Sequence, residues 1–538
     1  MNKHKPWLAH YDPAVPPHIR YPNKSIIDLF NDTVAVFPDT ACTILADRVF
    51  TYSEISTFSN RIATHLIKSG LNKGDPVGIV LPNIPEFVMA YYGILKAGGI
   101  VLALNPGAHL DEIVCQINEV GIRHIILAES VYQGLIAHKE AIALSHFIVH
   151  GMENSYTDSS LVFLSDIIAD ESLIVKKLPE VKPDDVAIYQ FSGGTTGTPK
   201  CAIGSHHNLV ANTIQFRKWL VNAEDGQEKI LIAIPLYHVY GMVLGLNLAV
   251  LLGAGMILIP NPREMDHLLS QIERYKASIF PGVPSLYNAI NHFPPVQGGW
   301  YDLSSIKACI SGSETLPLQV KQAFENLTGG HLVEGYGLSE APTATHCNPI
   351  LGENRDGSIG LPLPDVACRI VDIETGLTEM PVGETGELII RGPQVMPGYL
   401  NRPEETANAL RDGWLYTGDI CKMDEDGYFY LVDRKKDVIK VGGFQVWPNE
   451  VEKIILTHPA VKEVAVAGVL QKEEGERVVA WVVVREDQTL TAKDVIDWCQ
   501  MHLTRYKVPS HVMFMEALPR TGVGKILRRK LVSNYPEE

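Results

Sequence analysis

Between residues 77 and 191 the chain repeats one pattern, a short apolar run followed by a longer amphipathic stretch. The runs at 77–81, 100–104, 122–127 and 187–191 have the length of strands, and the stretches at 85–96 and 110–120 read as helices. Strands that are apolar on both faces belong in a parallel sheet covered by helices on each side. Runs at 279–280 and 308–311 continue the series. In such sheets ligands collect beyond the carboxyl ends of the strands, so the residues just after Phe191 matter most.

Those residues form a glycine-rich loop. In Gln190-Phe191-Ser192-Gly193-Gly194-Thr195-Thr196-Gly197-Thr198-Pro199-Lys200, three glycines, four hydroxyl side chains and a lysine lie close together. Glycine lets backbone N–H groups turn inward at dihedrals other residues avoid. The hydroxyls add donors and Lys200 adds a mobile point charge. The combination suits a polyphosphate. It is not the Walker A loop, since Thr198 and Pro199 separate the last glycine from the lysine and no serine or threonine comes after it. A plain Gly/Thr surface linker would leave the company of Lys200 unexplained.

Composition excludes several partners. A net charge of −16 argues against nucleic acid and against strong electrostatic attachment to anionic membranes. The eight cysteines include no CxxC pair, so neither a zinc site nor a disulfide framework is expected. The start, Met1-Asn2-Lys3-His4-Lys5-Pro6-Trp7, lacks the apolar core of a signal peptide, and a cytoplasmic setting is expected. Residues 230–262 carry no Asp, Glu, Lys or Arg, and 239–259 is long enough to span a bilayer. Pro235, His238, Asn247 and Gly253-Ala254-Gly255 interrupt it, however. A buried helix over 241–252, a turn and a buried strand over 256–259 fit better.

Elsewhere the elements obey local rules. A proline-rich lead-in precedes a helix at 25–37, and Thr51-x-x-Glu54 is a capping box opening a helix that Gly70 ends. Past residue 355 short strand runs at 367–371 and 387–391 lie between Gly- and Pro-rich turns, the texture of a smaller β-rich subdomain reaching to about 433. After the charged run Asp433-Arg434-Lys435-Lys436-Asp437 come a helix at 450–457, strands at 464–469 and 478–484 and a helix at 492–503. The expected organisation is a large α/β domain over 1–433, its mostly parallel sheets covered by helices and the β-rich subdomain at its end, then a small α+β domain over 434–538.

Downstream of the loop, further motifs stand in a fixed order. Pro235-Leu236-Tyr237-His238-Val239-Tyr240-Gly241 places a histidine among aromatics. Gly335-Tyr336-Gly337-Leu338-Ser339-Glu340 sets an acid after two glycines. Tyr416-Thr417-Gly418-Asp419, Asp433-Arg434 and Pro519-Arg520-Thr521-Gly522-Val523-Gly524-Lys525-Ile526 complete the set. Singly, each reads as well as a packed histidine, a turn acid or a solvated charge. Together they resemble the ordered core motifs of the adenylate-forming superfamily, over almost the whole chain. Gly392-Pro393-Gln394-Val395-Met396, Val432-Asp433-Arg434-Lys435-Lys436-Asp437 and Tyr506-Lys507-Val508-Pro509 are most similar to bacterial fatty-acyl-CoA synthetases.

The resemblance implies activation of a fatty acid in two steps. A carboxylate is a poor electrophile, so it first attacks the α-phosphorus of ATP to give acyl-AMP and pyrophosphate. The enzyme's task is to hold a triphosphate against a carboxylate, by positioning and fixed charge. Residues Ser192, Gly193, Gly194, Thr195, Thr196, Gly197, Thr198 and Lys200 would cradle the phosphates, with Glu340 and Thr195 holding Mg²⁺. Gly312-Ser313-Glu314 and Gly335, Tyr336, Gly337, Leu338 and Ser339 would border the adenine, Tyr336 by stacking. Asp419, Tyr430 and Arg434 complete the nucleotide contacts. Lys525, His238 and Lys440 would be catalytic, Lys525 stabilising charge between carboxylate oxygen and α-phosphate. In the second step coenzyme A attacks acyl-AMP after the small domain swings about Lys436, bringing Lys440, Gly442, Gly443 and Phe444 to the pantetheine tunnel.

Three positions depart from the family pattern. Gly193 replaces a common serine, Cys201 stands where a glycine commonly succeeds the loop lysine, and Met242 lies near where some long-chain enzymes carry a gating tryptophan. Acyl chain length is therefore not legible, and a homodimer and peripheral membrane contact are left open. Within the family an aryl-CoA ligase or an enzyme loading a carrier protein compete with the fatty-acid reading. From other classes, a membrane fatty-acid transport protein would need detergent, and a P-loop ATPase would release ADP.

Overall fold

The computed structural model describes residues 5–151, 161–174, 177–192, 199–441, 444–471, 475–520 and 525–536. The chain packs as two compact units. The first holds the chain as far as Ser192, with Lys200–Ala367 and Arg391–Leu410. The second holds Cys368–Ile390 and the chain from Arg411 on.

The first unit is built on two large sheets. One runs, in spatial order, Leu161–Phe163, His146–His150, His124–Ala128, Pro76–Val80, Ile100–Ala103, Val186–Phe191 and Cys201–Ser205. All its neighbours are parallel except the last pair. The other has nine strands and a parallel centre, Gly255–Leu258, Lys229–Ile232, Ile279–Gly282, Ala308–Ser311 and His331–Leu338. The repeating apolar runs are thus central parallel strands, buried on both faces as their composition requires. The helix Tyr52–Lys68 opens with the expected capping box, the Thr51 hydroxyl accepting from Glu54 N–H while the Glu54 carboxylate accepts from Thr51 N–H.

The uncharged stretch is interior. Gly241–Asn247 forms a π-helix, Leu248–Leu252 continues as an α-helix, and Gly253 ends it with φ of 62°. Gly255–Leu258 then enters the middle of the nine-stranded sheet. The expected helix is therefore present, but its first part is π-helical rather than α-helical. Gly241 has to be glycine here, since a Cβ would lie 2.2 Å from the Pro235 carbonyl oxygen. Among the described residues no helix is long and apolar enough to cross a membrane.

One buried charge stands out in this core. Lys96 is 3% exposed and donates to the Ser56 carbonyl and hydroxyl, to Ser59 Oγ and to Asn60 Oδ1, with its ammonium 4.9 Å from the Phe30 ring centroid. Burial lowers its pKa to about 7. The folded chain therefore releases this proton at a pH where the unfolded chain keeps it. Stability rises from pH 7 towards the ordinary lysine range, and this gain is gone once pH falls below 7. At 1.36 kcal/mol per pKa unit the span is at most about 5 kcal/mol. Lys96→Met, apolar and of similar length, is expected to flatten this dependence. Its melting temperature, relative to the parent, should climb as pH is lowered from about 10 to about 7.

Most of a five-stranded sheet lies in the second unit: Ala367–Val371, Gly386–Arg391, Trp414–Met423, Leu410–Arg411 and Phe429–Arg434, with Trp414–Met423 antiparallel to both Gly386–Arg391 and Phe429–Arg434. It continues into the hairpin Ile439–Val441/Phe444–Val446 and a three-stranded sheet, Val461–Gln471, Gly475–Val484 and His511–Phe514, packed by helices Pro448–Leu456 and Ala492–His502.

Candidate active site

The phosphate-loop candidate lies in an antiparallel hairpin. Val186–Phe191 pairs with Cys201–Ser205, and Ser192 N–H donates to the Lys200 carbonyl at 2.8 Å, closing the loop at its base. Residues 193–198, and so Gly193, Gly194, Thr195, Thr196, Gly197 and Thr198, lie outside the described residues. The next helix begins only at His206, capped by Ser205. A Walker loop runs directly into a helix N-terminus and uses its dipole. This loop does not, so its fixed charge comes from Lys200. Cys201 is fully buried, and burial pushes its thiol up to about 12, so it offers no nucleophile.

Glu340 sits in a second hairpin. His331–Leu338 and Ala341–Cys347 pair with Tyr336 opposite His346 and Gly337 opposite Ala344, leaving Ser339 and Glu340 at the tip. A Cβ on Gly337 would meet the Thr343 carbonyl oxygen at 1.6 Å, so only glycine permits this strand approach. Asn212 braces the returning strand, its Oδ1 accepting from Thr343 N–H at 2.8 Å and Ala344 N–H at 3.1 Å.

A short segment that begins at the last residue of the Gly392–Met396 motif and runs on past it ties the two hairpins together. Met396 N–H donates to the Glu340 carbonyl at 2.8 Å, Ile203 N–H to the Gly398 carbonyl at 3.0 Å, and Leu400 N–H to the Cys201 carbonyl at 2.8 Å. In its middle, Tyr399 donates its hydroxyl to Glu340 Oε1 at 2.8 Å, and Lys200 Nζ lies 5.2 Å from its ring centroid. Burial, then the Glu340 carboxylate, push this hydroxyl far above the ordinary tyrosine range, so it remains a donor. The available signal was an aromatic after Pro397-Gly398, adjoining the Gly392-Pro393-Gln394-Val395-Met396 motif.

Other expected site residues of the first unit cluster at strand ends. His238 Nδ1 accepts from Tyr240 N–H at 3.2 Å, which leaves the ring's proton on Nε2 when neutral. Tyr240 anchors this motif by donating to the Ile310 carbonyl at 2.7 Å, with Gly282 O 3.1 Å away. Gly312 succeeds the strand Ala308–Ser311, and Ser313 takes φ of 75°, a left-handed conformation uncommon outside glycine. Glu314 comes next. The Tyr336 ring meets His346 edge-on at 5.7 Å.

In the second unit Asp419 and Arg434 are register partners, with Arg434 Nε 3.3 Å from Asp419 Oδ1. Glu387, also missed in the sequence, supports both strands: it accepts from Gly418 N–H at 3.2 Å and from Lys435 Nζ at 2.7 Å. Tyr430 donates to Asp424 Oδ2 at 3.0 Å, in the turn that precedes its strand. Lys436 lies in a turn closed by Asp437 N–H donating to the Arg434 carbonyl at 3.0 Å. Lys440 N–H donates to Glu476 Oε2 at 2.6 Å, and Phe444 stacks on Tyr506 at 4.6 Å. Gly442 and Gly443 lie outside the described residues. Lys525 comes directly after the undescribed residues 521–524, and the bridge between Arg520 and Ile526 closes that loop at its base.

The donor set bears on a metal. No group of three or more His, Cys, Asp or Glu that would hold an ion occurs among the described residues. Magnesium needs no such cage, since it is commonly held by one or two carboxylates together with substrate phosphates. A single carboxylate at Glu340, on a hairpin bonded through Tyr399 to the phosphate-loop lysine, fits that mode.

The sequence and the fold both have known relatives. The sequence matches the AMP-binding enzyme family over residues 30–400 and the AMP-binding enzyme C-terminal domain over residues 450–525. A long-chain-fatty-acid–CoA ligase of Bacillus subtilis is 39% identical, covering 100% of this chain and 99% of its own. One of Escherichia coli is 35% identical, with 98% of both chains covered. The crystal structure of the anthranilate CoA ligase AuaEII with anthranoyl-AMP superposes with a TM-score of 0.84 at 26% identity, covering 95% of this chain and 97% of that one. With both family regions in order and relatives matching from end to end, the chain belongs to the AMP-binding enzymes of the adenylate-forming superfamily.

Proposed function

We propose that this enzyme activates a long-chain fatty acid with ATP and transfers it to coenzyme A, releasing pyrophosphate and then AMP. The observation that carries the reading is end-to-end likeness, at 39% identity, to a long-chain-fatty-acid–CoA ligase. The hairpin setting of the loop supports it, because it separates this chain from P-loop ATPases. ATP and coenzyme A as co-substrates favour a cytoplasmic setting. Scoring pyrophosphate release over a panel of carboxylic acids tests it. Long-chain fatty acids should be turned over fastest with coenzyme A present, and a preference for aryl acids, or release of ADP, would overturn the reading.

The residue roles belong to the same reading. Lys200 and the loop before it would take the β and γ phosphates, and Glu340 with Thr195 would hold Mg²⁺, which supplies charge neutralisation for the departing pyrophosphate. Asp419, beside Arg434, would accept the ribose hydroxyls, with Gly312, Ser313, Glu314 and Tyr336 towards the base. Lys525 would stabilise the transferring charge, and His238 would sit at the acid. The organisation into domains over 1–433 and 434–538, with a hinge at Lys436, is part of this proposal. Glu340→Gln is expected to raise the Mg²⁺ concentration needed for half-maximal acyl-AMP formation, on the order of tenfold or more, because a neutral amide is a weaker ligand for a hard cation. A metal titration of the purified variant checks it, and an unchanged midpoint would remove Glu340 from the metal site.

A further inference from the structure

We propose that Tyr399 is a positioning residue that holds Lys200 and Glu340 apart, so that each reaches the phosphates and their metal with its charge uncompensated. The proposal rests on the adenylation reading and concerns the same site. The two side chains carry opposite charge and are fixed to one short segment: Cys201, next to Lys200, through Leu400, and Glu340 through Met396. Lysine's four-carbon stem gives it long reach. In a half-buried setting opposite charges so placed attract strongly and would neutralise each other before any ligand arrives. Tyr399 offers each of them something else. The ammonium lies against the ring, whose quadrupole attracts cations, and the carboxylate accepts the hydroxyl proton at the ring's edge. One side chain therefore engages both charges, its ring the ammonium and its hydroxyl the carboxylate.

A merely structural tyrosine would behave differently. Tyr399 N–H donates to Thr406 Oγ1 at 2.9 Å and its neighbours zip onto the strand Cys201–Ser205, so the backbone alone secures the segment. On that view the ring only fills space, and its loss would not change how Lys200 and Glu340 feel each other.

A double-mutant cycle on the full chain, without nucleotide or metal, separates the two. Unfolding is measured for Lys200→Ala, Glu340→Gln and the pair, in the parent and again in Tyr399→Ala. The effects should be additive in the parent and non-additive in the Tyr399→Ala background, where a new ion pair is lost by either change. Calorimetric titration with ATP and Mg²⁺ should show Tyr399→Ala weakening binding by about tenfold or more, as for loss of other residues that orient metal ligands. Tyr399→Phe, which keeps the ring under Lys200, should fall between parent and alanine. If Tyr399→Ala does not fold, Tyr399→Leu, which fills the site without hydroxyl or π face, takes its place in the cycle. Additivity in both backgrounds, or ATP binding as tight as the parent's, would overturn the proposal. Coupling that appears as expected in an enzyme forming no acyl-AMP from any acid would instead overturn the adenylation reading and leave the spacer standing.

Discussion

Lys525→Ala is expected to slow acyl-AMP formation by on the order of a hundredfold or more, while leaving thioester formation from supplied acyl-AMP nearly intact. A cation aimed at charge that develops only in the transition state contributes to the rate rather than to ground-state binding. A hundredfold corresponds to about 3 kcal/mol. Lys525 stands at the end of a loop whose base is closed by the bridge between Arg520 and Ile526 and by Leu527 N–H donating to the Pro519 carbonyl at 2.8 Å. In the second half-reaction the thiol attacks the acyl carbon and AMP leaves with the electron pair of the broken C–O bond. On the proposed rotation about Lys436 this step would use the arrangement in which Lys525 has been withdrawn, so it should be spared. Pyrophosphate release and thioester formation, measured separately on the same preparation, decide the matter. Equal losses in both would remove Lys525 from the adenylation step.

Lys436→Pro is expected to preserve acyl-AMP formation and suppress transfer to coenzyme A, on the order of a hundredfold, as small misplacements of reacting groups commonly do. The residue lies in the turn between the strands Phe429–Arg434 and Ile439–Val441. Proline there fixes φ near −65° and restricts the residue before it. A rotation about this point would also break a bond that crosses the turn, from Asn449 N–H to Asp433 Oδ2 at 2.7 Å. Proline should therefore fix one orientation, and the expected one is the adenylating arrangement, which needs only ATP and the acid in place. Lys436→Ala, with its backbone free, should behave nearly as the parent. If Lys436 were one solvated charge among Asp433 to Asp437, proline would lower both half-reactions and the melting temperature together. Transfer that survives alongside adenylation would sink the hinge.

Much of the fold was legible because local rules carry it. Parallel strands buried on both faces read as continuous apolar runs, and the expected strands at 77–81, 100–104 and 187–191 overlap Pro76–Val80, Ile100–Ala103 and Val186–Phe191. Thr51 announces its helix through a capping box complete within four residues, and the structure adds a second such box at Ser25 that had not been read. The uncharged stretch was legible as interior because Gly253 and Gly255 break it, although its π-helical turns were not. Apolar periodicity at this length does not separate a π-helix from an α-helix.

The sequence by itself determined the order of elements, the family and the positions that carry its motifs, because each is written in neighbouring residues. It did not determine that the phosphate loop closes a hairpin rather than opening a helix, since five residues, Cys201–Ser205, decide that by pairing backwards. Nor did it single out Glu387 beneath Gly418 and Lys435. Least of all did it reveal Tyr399, which stands 59 positions from Glu340 and bonds to it. Whether two such residues meet depends on the closure of loops long enough to cross whole sheets, and local propensity contains no record of that distance. Tertiary packing alone brought one side chain into contact with both a cation and an anion.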